Sequence, residues 1–124
     1  MLEIHHVAII GSDYEASREF YVNKLGLEVI RENYRPGKQD WKIDLRAGSA
    51  ELELFIVPSA PQRVTNPEAL GLRHLAFRVA DAQAAVRELE ARGIHCEPIR
   101  VDPYTGGRFT FFRDPDQLPI EIHE

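Results

Sequence analysis

Residues 6–13 read His-Val-Ala-Ile-Ile-Gly-Ser-Asp, and residues 74–81 read His-Leu-Ala-Phe-Arg-Val-Ala-Asp. The two stretches lie 68 residues apart, and the same shift places Leu52-Glu53-Leu54 on Ile120-Glu121-Ile122. In each half of the chain a histidine therefore precedes a glutamate by 47 residues. A matched separation inside matched tripeptides indicates an internal repeat, and each half needs a partner half to cover the inner face of its sheet.

The first half begins with an apolar strand, Ile4–Ile10. Ser12 and Glu15 have the spacing of a capping box, which predicts a helix that runs to about Lys24 and ends at Gly26. This helix is expected to bury Ala16, Phe20 and Leu25. Three predicted strands follow, separated by turn-forming residues: Glu28–Tyr34, Trp41–Ala47 and Glu51–Val57.

The second half repeats this order. His74–Val79 is a predicted strand, and Asp81 is placed to cap a helix that Gly93 ends. The strands expected after it are Cys96–Val101, Phe109–Phe112 and Leu118–His123. The βαβββ order thus occurs twice, which predicts an α+β fold in a single domain, residues 1–124. Module 1 covers about residues 1–57, a proline-containing linker about 58–70, and module 2 about 71–124.

Composition excludes several functional classes. The chain has a net charge of -5 and no continuous run of basic residues, so nucleic acid is a poor candidate partner. The N-terminal residues lack the charge pattern of a signal peptide and the length of a membrane span, which predicts a cytoplasmic protein. The single cysteine, Cys96, agrees with a reducing compartment and is predicted to be a half-buried core thiol.

The four repeated polar residues carry the candidate chemistry: His6, Glu53, His74 and Glu121. Each lies in a mostly apolar strand, where a carboxylate needs a cation or a proton to offset its desolvation. Two imidazoles and two carboxylates form a donor set suited to Ni, Co, Zn or Mn. Ala8 and Ala76 follow the histidines on the same strand face, and their small side chains leave space for an ion. The alternative is that the histidines are hydrogen-bonded core or rim residues and the glutamates face solvent.

Several motifs carry a family resemblance: H-V-A-I, S-x-x-F-Y before L-G-L, E-L-E-L-F, G-L-R-H-L-A-F and D-P-D-x-L-P-I-E-I. They resemble the vicinal oxygen chelate (VOC) superfamily over nearly the whole chain. Two stretches, G-L-R-H-L-A-F and R-V-D-P-Y-T-x-x-R-F-T-F-F-x-D-P-D, are similar to a short bacterial branch, the YaeR-like proteins. The resemblance implies two βαβββ modules that form an open eight-stranded barrel-like sheet around one divalent metal, commonly in a homodimer.

The order His, Glu, His, Glu resembles glyoxalase I within that superfamily. Extradiol dioxygenases and fosfomycin-modifying thiol transferases present two His and one Glu, and methylmalonyl-CoA epimerases carry Gln at the position of Glu53. The resemblance implies a lactoylglutathione lyase-like reaction, in which a hemithioacetal is isomerised by proton transfer through a metal-bound enediolate. The resemblance implies that Glu121 or Glu53 is the base for this proton transfer.

The thiol and substrate residues depart from that pattern. Ile10 and Val57 stand where glutathione-using glyoxalases have an Arg and an Asn. The identity of the thiol in a thiol-adduct substrate is therefore left open. Basic and aromatic residues of the second module are candidates for binding an anionic small molecule, or are surface residues: Arg73, Arg100, Tyr104 and Arg108.

Two functional classes remain open. The first is a metal-dependent lyase or isomerase, or another VOC metalloenzyme such as a dioxygenase or epimerase. The second is a sequestering module of the bleomycin-resistance type, which keeps the fold and binds drugs without a metal. Retention of all four ligand-type residues favours the enzyme, because a sequestering protein has no need of them.

Overall fold

The chain folds into two compact units in the computed structural model, which describes all residues, Met1–Glu124. Unit 1 is Met1–Pro61 and unit 2 is Gln62–Glu124. Each unit contains one four-stranded mixed sheet and follows the βαβββ order, so the predicted α+β architecture is confirmed. No helix has the length and apolar character needed to cross a membrane.

The elements of unit 1 are β1 (His6–Gly11), α1 (Tyr14–Arg18), β2 (Val29–Arg35), β3 (Asp40–Ala47) and β4 (Ala50–Ile56). Helix α1 continues directly into a π-helical segment, Glu19–Lys24. The strand order in the sheet is β1-β4-β3-β2, in which β1 and β4 are parallel and the other neighbours are antiparallel. The first strand therefore lies beside the last one, which brings residues far apart in sequence onto adjacent strands.

Unit 2 contains β5 (Leu75–Arg78), α2 (Ala82–Ala91), β6 (Arg100–Val101), β7 (Arg108–Arg113) and β8 (Pro119–His123). Its strand order, β5-β8-β7-β6, matches that of unit 1, again with a parallel pair at one side. The topology thus repeats together with the sequence motifs.

The start of the first helix differs from the prediction. Asp13, and not Ser12, is the N-cap, and its carboxylate accepts a 2.7 Å hydrogen bond from the Ala16 N–H. Ala16 is exposed, whereas Ser17 is buried. Ser17 lies against Gly11, where an added Cβ would come within 2.5 Å of the serine Oγ. A glycine there allows the helix to approach the strand closely. The predicted cap of the second helix, Asp81, is confirmed.

The segment that begins at Cys96 was predicted as a strand, and only its last two residues, Arg100–Val101, form one. Pro98 has no N–H to donate, and the Cys96 N–H donates to the Glu90 carboxylate instead of to a neighbouring strand. Cys96 itself is 6% exposed, so it is buried more fully than predicted.

Alternation along the strands separates an apolar face from a polar face. In β4 the side chains of Leu52, Leu54 and Ile56 are buried, whereas those of Glu51 and Glu53 point to the opposite side of the sheet. In unit 2 the buried side chains of β7 and β8 include Phe112, Ile120 and Ile122. The candidate site residues lie on the face opposite these buried side chains, which in unit 2 also carries Phe109 and Phe111.

Candidate metal centre

The first His–Glu pair lies on the polar face of the sheet of unit 1. His6 begins β1 and Glu53 lies in the middle of β4, and these two strands are parallel neighbours. The His6 Nδ1 atom is 3.4 Å from the Glu53 Oε2 atom, with 13% of the glutamate side chain exposed. One imidazole nitrogen and one carboxylate oxygen therefore face each other at the edge of this sheet.

Charged side chains surround this pair. Lys42 Nζ lies 3.6 Å from Glu53 Oε1 and 2.6 Å from Asp44 Oδ1. The buried Asp44 also has Arg31 Nε at 2.6 Å from its Oδ2, an ion pair without the alignment of a hydrogen bond. His5, next along the chain, has its Nδ1 atom 2.9 Å from Nδ1 of His6. Both oxygens of Glu53 thus face side-chain nitrogens.

The second pair lies at the equivalent place in unit 2. His74 directly precedes β5, and Glu121 lies in the middle of β8, the parallel neighbour of that strand. The His74 Nε2 atom is 2.9 Å from the Glu121 Oε2 atom, and 11% of the glutamate side chain is exposed. The aromatic ring of Phe111 meets the His74 ring edge-on at 5.0 Å. No other nitrogen is paired with Glu121, so its Oε1 is free of protein partners.

The strand register explains why both pairs form. Ala8 is paired with Glu53 across the parallel strands of unit 1, and Ala76 is paired with Glu121 in unit 2. An alanine beside each glutamate leaves the carboxylate uncovered on that side. On the antiparallel side the units differ, because Asp44 faces Glu53 whereas Phe111 faces Glu121. The first pair has a charged setting and the second an aromatic one.

The donor chemistry of the pairs fits a divalent ion. Two donors at about 2.1 Å from one ion lie roughly 3.0 Å apart at a right angle and about 3.4 Å apart at a tetrahedral angle. The observed separations, 2.9 Å and 3.4 Å, lie in this range, which also suits a direct ion pair. No group of three or more His, Cys, Asp or Glu side chains is arranged to hold a metal ion. Each pair by itself supplies two donors.

The predicted substrate residues lie in different places. Arg73 and Arg100 line a cavity of about 400 Å³ in unit 2 that His74 also lines. Arg108 instead forms a 2.6 Å ion pair with Glu124, and the Arg108 guanidinium, with the Ala82 N–H, lowers the pKa of that carboxyl to about 2. Tyr104 is exposed in the turn before β7. The structure therefore brings two of the four predicted residues to the cavity beside His74.

Two arginines of the cavity were missing from the sequence-based set, Arg63 and Arg113. Arg63 donates to the backbone carbonyls of Leu72 and Arg73 at 3.2 Å and 2.9 Å. Arg113 ends β7, and its side chain has no ion-pair or hydrogen-bond partner. The two arginines are 50 positions apart and neither is a defined position of a motif, so the sequence carried no signal that they meet.

Comparison with known proteins defines the family. A model of the Glyoxalase/Bleomycin resistance protein/Dioxygenase superfamily matches residues 3–122. The chain belongs to this superfamily, as its motifs suggested. It is 59% identical to the uncharacterized protein YwkD of Bacillus subtilis (strain 168), with 98% of this chain and 95% of YwkD covered. Identity to the uncharacterized protein YaeR of Escherichia coli (strain K12) is 52%, with 98% and 95% covered.

Solved structures agree with this assignment. The crystal structure of a glyoxalase family protein from Enterococcus faecalis superposes with a TM-score of 0.93 at 57% identity, covering 98% of this chain and 97% of that one. Lactoylglutathione lyase from Agrobacterium tumefaciens gives a TM-score of 0.72 at 26% identity, covering 98% and 92%. Among more distant sequences, 2-epi-5-epi-valiolone epimerase from Actinomyces sp. is 30% identical over 96% of this chain and 77% of the epimerase. Relatives with named activities thus include a lyase and an epimerase.

Proposed function

We propose that this protein is a metal-dependent lyase or isomerase of the glyoxalase I type. It moves a proton between adjacent carbons of a hemithioacetal or another 2-hydroxycarbonyl compound. The observation that carries the proposal is the repetition of one His–Glu pair per unit, at 3.4 Å in unit 1 and 2.9 Å in unit 2, on equivalent strands. A sequestering module would have no reason to keep both pairs.

The proposed ligands of the ion are His6, Glu53, His74 and Glu121, with the two pairs supplied by one chain or by two chains of a homodimer. Two nitrogen and two oxygen donors suit Ni, Co or Zn. When bound, such an ion stabilises the negative charge that develops on the substrate oxygens as a proton leaves carbon. The four proposed ligand residues would hold the ion.

Glu121 is the proposed base, and Glu53 is its counterpart. Lys42 and His6 face the two oxygens of Glu53, whereas Glu121 has Oε1 free to accept a proton. The ring of Phe111 packs against the His74 ring beside this pair. A proton held at Glu121 Oε1 can return to the neighbouring carbon, which completes the isomerisation.

Epimerisation is a second candidate, favoured by the 30% identity to 2-epi-5-epi-valiolone epimerase. It uses the same elementary step, removal and return of a proton beside a carbonyl group. The two reactions differ in the carbon that receives the proton.

The test is an assay of metal-loaded protein with the methylglyoxal hemithioacetals of glutathione, of a smaller thiol and of a bacterial thiol. Thioester formation with at least one of them, lost in Glu121→Gln, is expected. Because Ile10 and Val57 replace the expected glutathione contacts, glutathione is not expected to be the best of the three. Absence of thioester with all three would contradict the lyase, and exchange of a substrate C–H proton with solvent deuterium would then identify an epimerase.

A further inference from the structure

The side chains that line the cavity beside His74 carry a net positive charge. Its wall carries four arginines and two glutamates, which leaves a formal charge of +2 in a chain whose net charge is -5. The arginines are Arg63, Arg73, Arg100 and Arg113. A concave surface lined by charges of one sign attracts ligands of the opposite sign. The cavity is therefore suited to an anion.

The four arginines are not equally available. Arg73 is held by Glu68, with contacts of 2.5 Å and 3.1 Å, and Arg63 is bound to backbone carbonyls. Arg100 makes only a 3.4 Å contact with Glu97, and Arg113 has no side-chain partner. Arg100 and Arg113 therefore have N–H groups free to bind a ligand.

Aromatic rings fix the position of Arg100. Its guanidinium carbon lies 5.1 Å from the ring centre of Phe109 and 5.6 Å from that of Phe111. A guanidinium over an aromatic face is favourably placed and loses less freedom when it binds a ligand. Because Phe111 also meets the His74 ring, one aromatic ring separates Arg100 from the His74–Glu121 pair.

We propose that Arg100 and Arg113 bind an anionic group of the substrate, a carboxylate or a phosphate, in this cavity beside the His74–Glu121 pair. The assignment of this anion to a substrate rests on the proposed function, whereas the anion site rests on the cavity alone. The substrate class is then a 2-hydroxycarbonyl compound or hemithioacetal that carries an anionic substituent. Guanidinium groups bind both carboxylate and phosphate oxygens through paired hydrogen bonds.

The experiment is a calorimetric titration of the protein as purified with inorganic phosphate and, separately, with malonate at low ionic strength. We expect binding that weakens as salt is added, and the anion that binds more tightly identifies the source of the negative group. Arg113→Gln and Arg100→Gln should each weaken binding by about tenfold, the loss of one charge-assisted contact of roughly 1.4 kcal/mol. Because Arg113 has no side-chain partner that its replacement would leave unpaired, this variant should keep its fold.

The matched control is Arg46→Gln, a strand arginine of unit 1 that is paired with Glu28 outside the cavity. Binding unchanged in this control and weakened in the two cavity variants supports the site. Equal affinity in all variants would overturn it, because the anion would then bind elsewhere or to a metal ion alone. Absence of binding would also overturn it. Arginine-dependent binding in a protein without turnover would leave the anion site standing and contradict the proposed reaction.

Discussion

The Nε2 atom of His74 lies 2.9 Å from the Oε2 atom of Glu121, and the other oxygen of this glutamate has no protein partner. The corresponding glutamate of unit 1, Glu53, has a nitrogen near each oxygen. Two carboxylates that occupy equivalent strand positions therefore differ in whether they have an oxygen free to accept a proton. This difference is the reason for proposing different roles for the two residues.

A first prediction follows for catalysis. Glu121→Gln should lower turnover by about a hundredfold or more, because an amide cannot accept the proton. Glu53→Gln, the matched control, should lower turnover by a smaller factor once metal occupancy is equalised. The measurement is kcat at saturating metal for both variants. Equal losses in the two variants would contradict the assignment of Glu121 as the base.

A second prediction concerns assembly. Strand β1 is at the edge of its sheet, and Ile10 on this strand is 59% exposed. Exposed apolar edge strands are usually covered by another chain, most often in a twofold pair. We expect a homodimer at micromolar concentration by sedimentation velocity, and Ile10→Lys should shift it toward monomer. A wild-type monomer under these conditions would rule out the dimer.

A third prediction concerns Cys96. Burial, with a smaller contribution from the charge of Glu90, raises the pKa of this thiol to about 11. Little thiolate is then present at pH 8, so a thiol reagent should label the folded protein far more slowly than the protein unfolded in guanidinium. Comparison of the two labelling rates checks this. Similar rates would mean that the thiol is exposed.

A fourth prediction concerns acid stability. The Arg108 guanidinium, followed by the Ala82 N–H, lowers the pKa of Glu124 from 4.5 to about 2. Since the pKa is lower in the folded state, the ionised carboxylate stabilises the fold above pH 4.5, and this contribution is lost as the pH falls toward 2.

Glu124→Gln should therefore lower the melting temperature near neutral pH, with a difference from wild type that shrinks on acidification. Glu3→Gln, which alters a glutamate without side-chain contacts near the N-terminus, is the control and should show no such trend. A difference for Glu124→Gln that is constant from pH 6 to pH 2.5 would show that the charge has no part in it.

Much of the architecture could be predicted because its signals are local or repeated. The alternation of apolar residues identifies the strands, and the shift of 68 residues aligns the His–Glu pairs, which the parallel register of each sheet then brings together. The cap at Asp13 was missed because Ser12, one position earlier, is an equally good capping residue. The strand at β6 was predicted too long. Pro98 has no N–H and the Cys96 N–H donates to Glu90, so in residues 96–98 only the Glu97 N–H donates to β7, at Phe111.

The cavity could be predicted only in part. Arg73 and Arg100 were selected as basic residues of the second module that could bind an anion, and both line the cavity. Arg63 and Arg113 lie far apart in sequence, and only the folded chain shows that both line the same cavity. Arg108 was included because of its charge, yet its ion pair with Glu124 gives it a structural partner.

The most direct test of the account is the metal content of protein purified without a chelator or a histidine tag. We expect elemental analysis to find about one Ni, Co or Zn ion per chain. Each chain has two pairs, and one ion takes two pairs, whether both come from the same chain or one from each chain of a dimer. His74→Ala and Glu53→Gln should lower both metal content and melting temperature, because a bound ion stabilises only the folded state. A metal content and melting temperature equal to those of wild type in both variants would contradict the proposed centre.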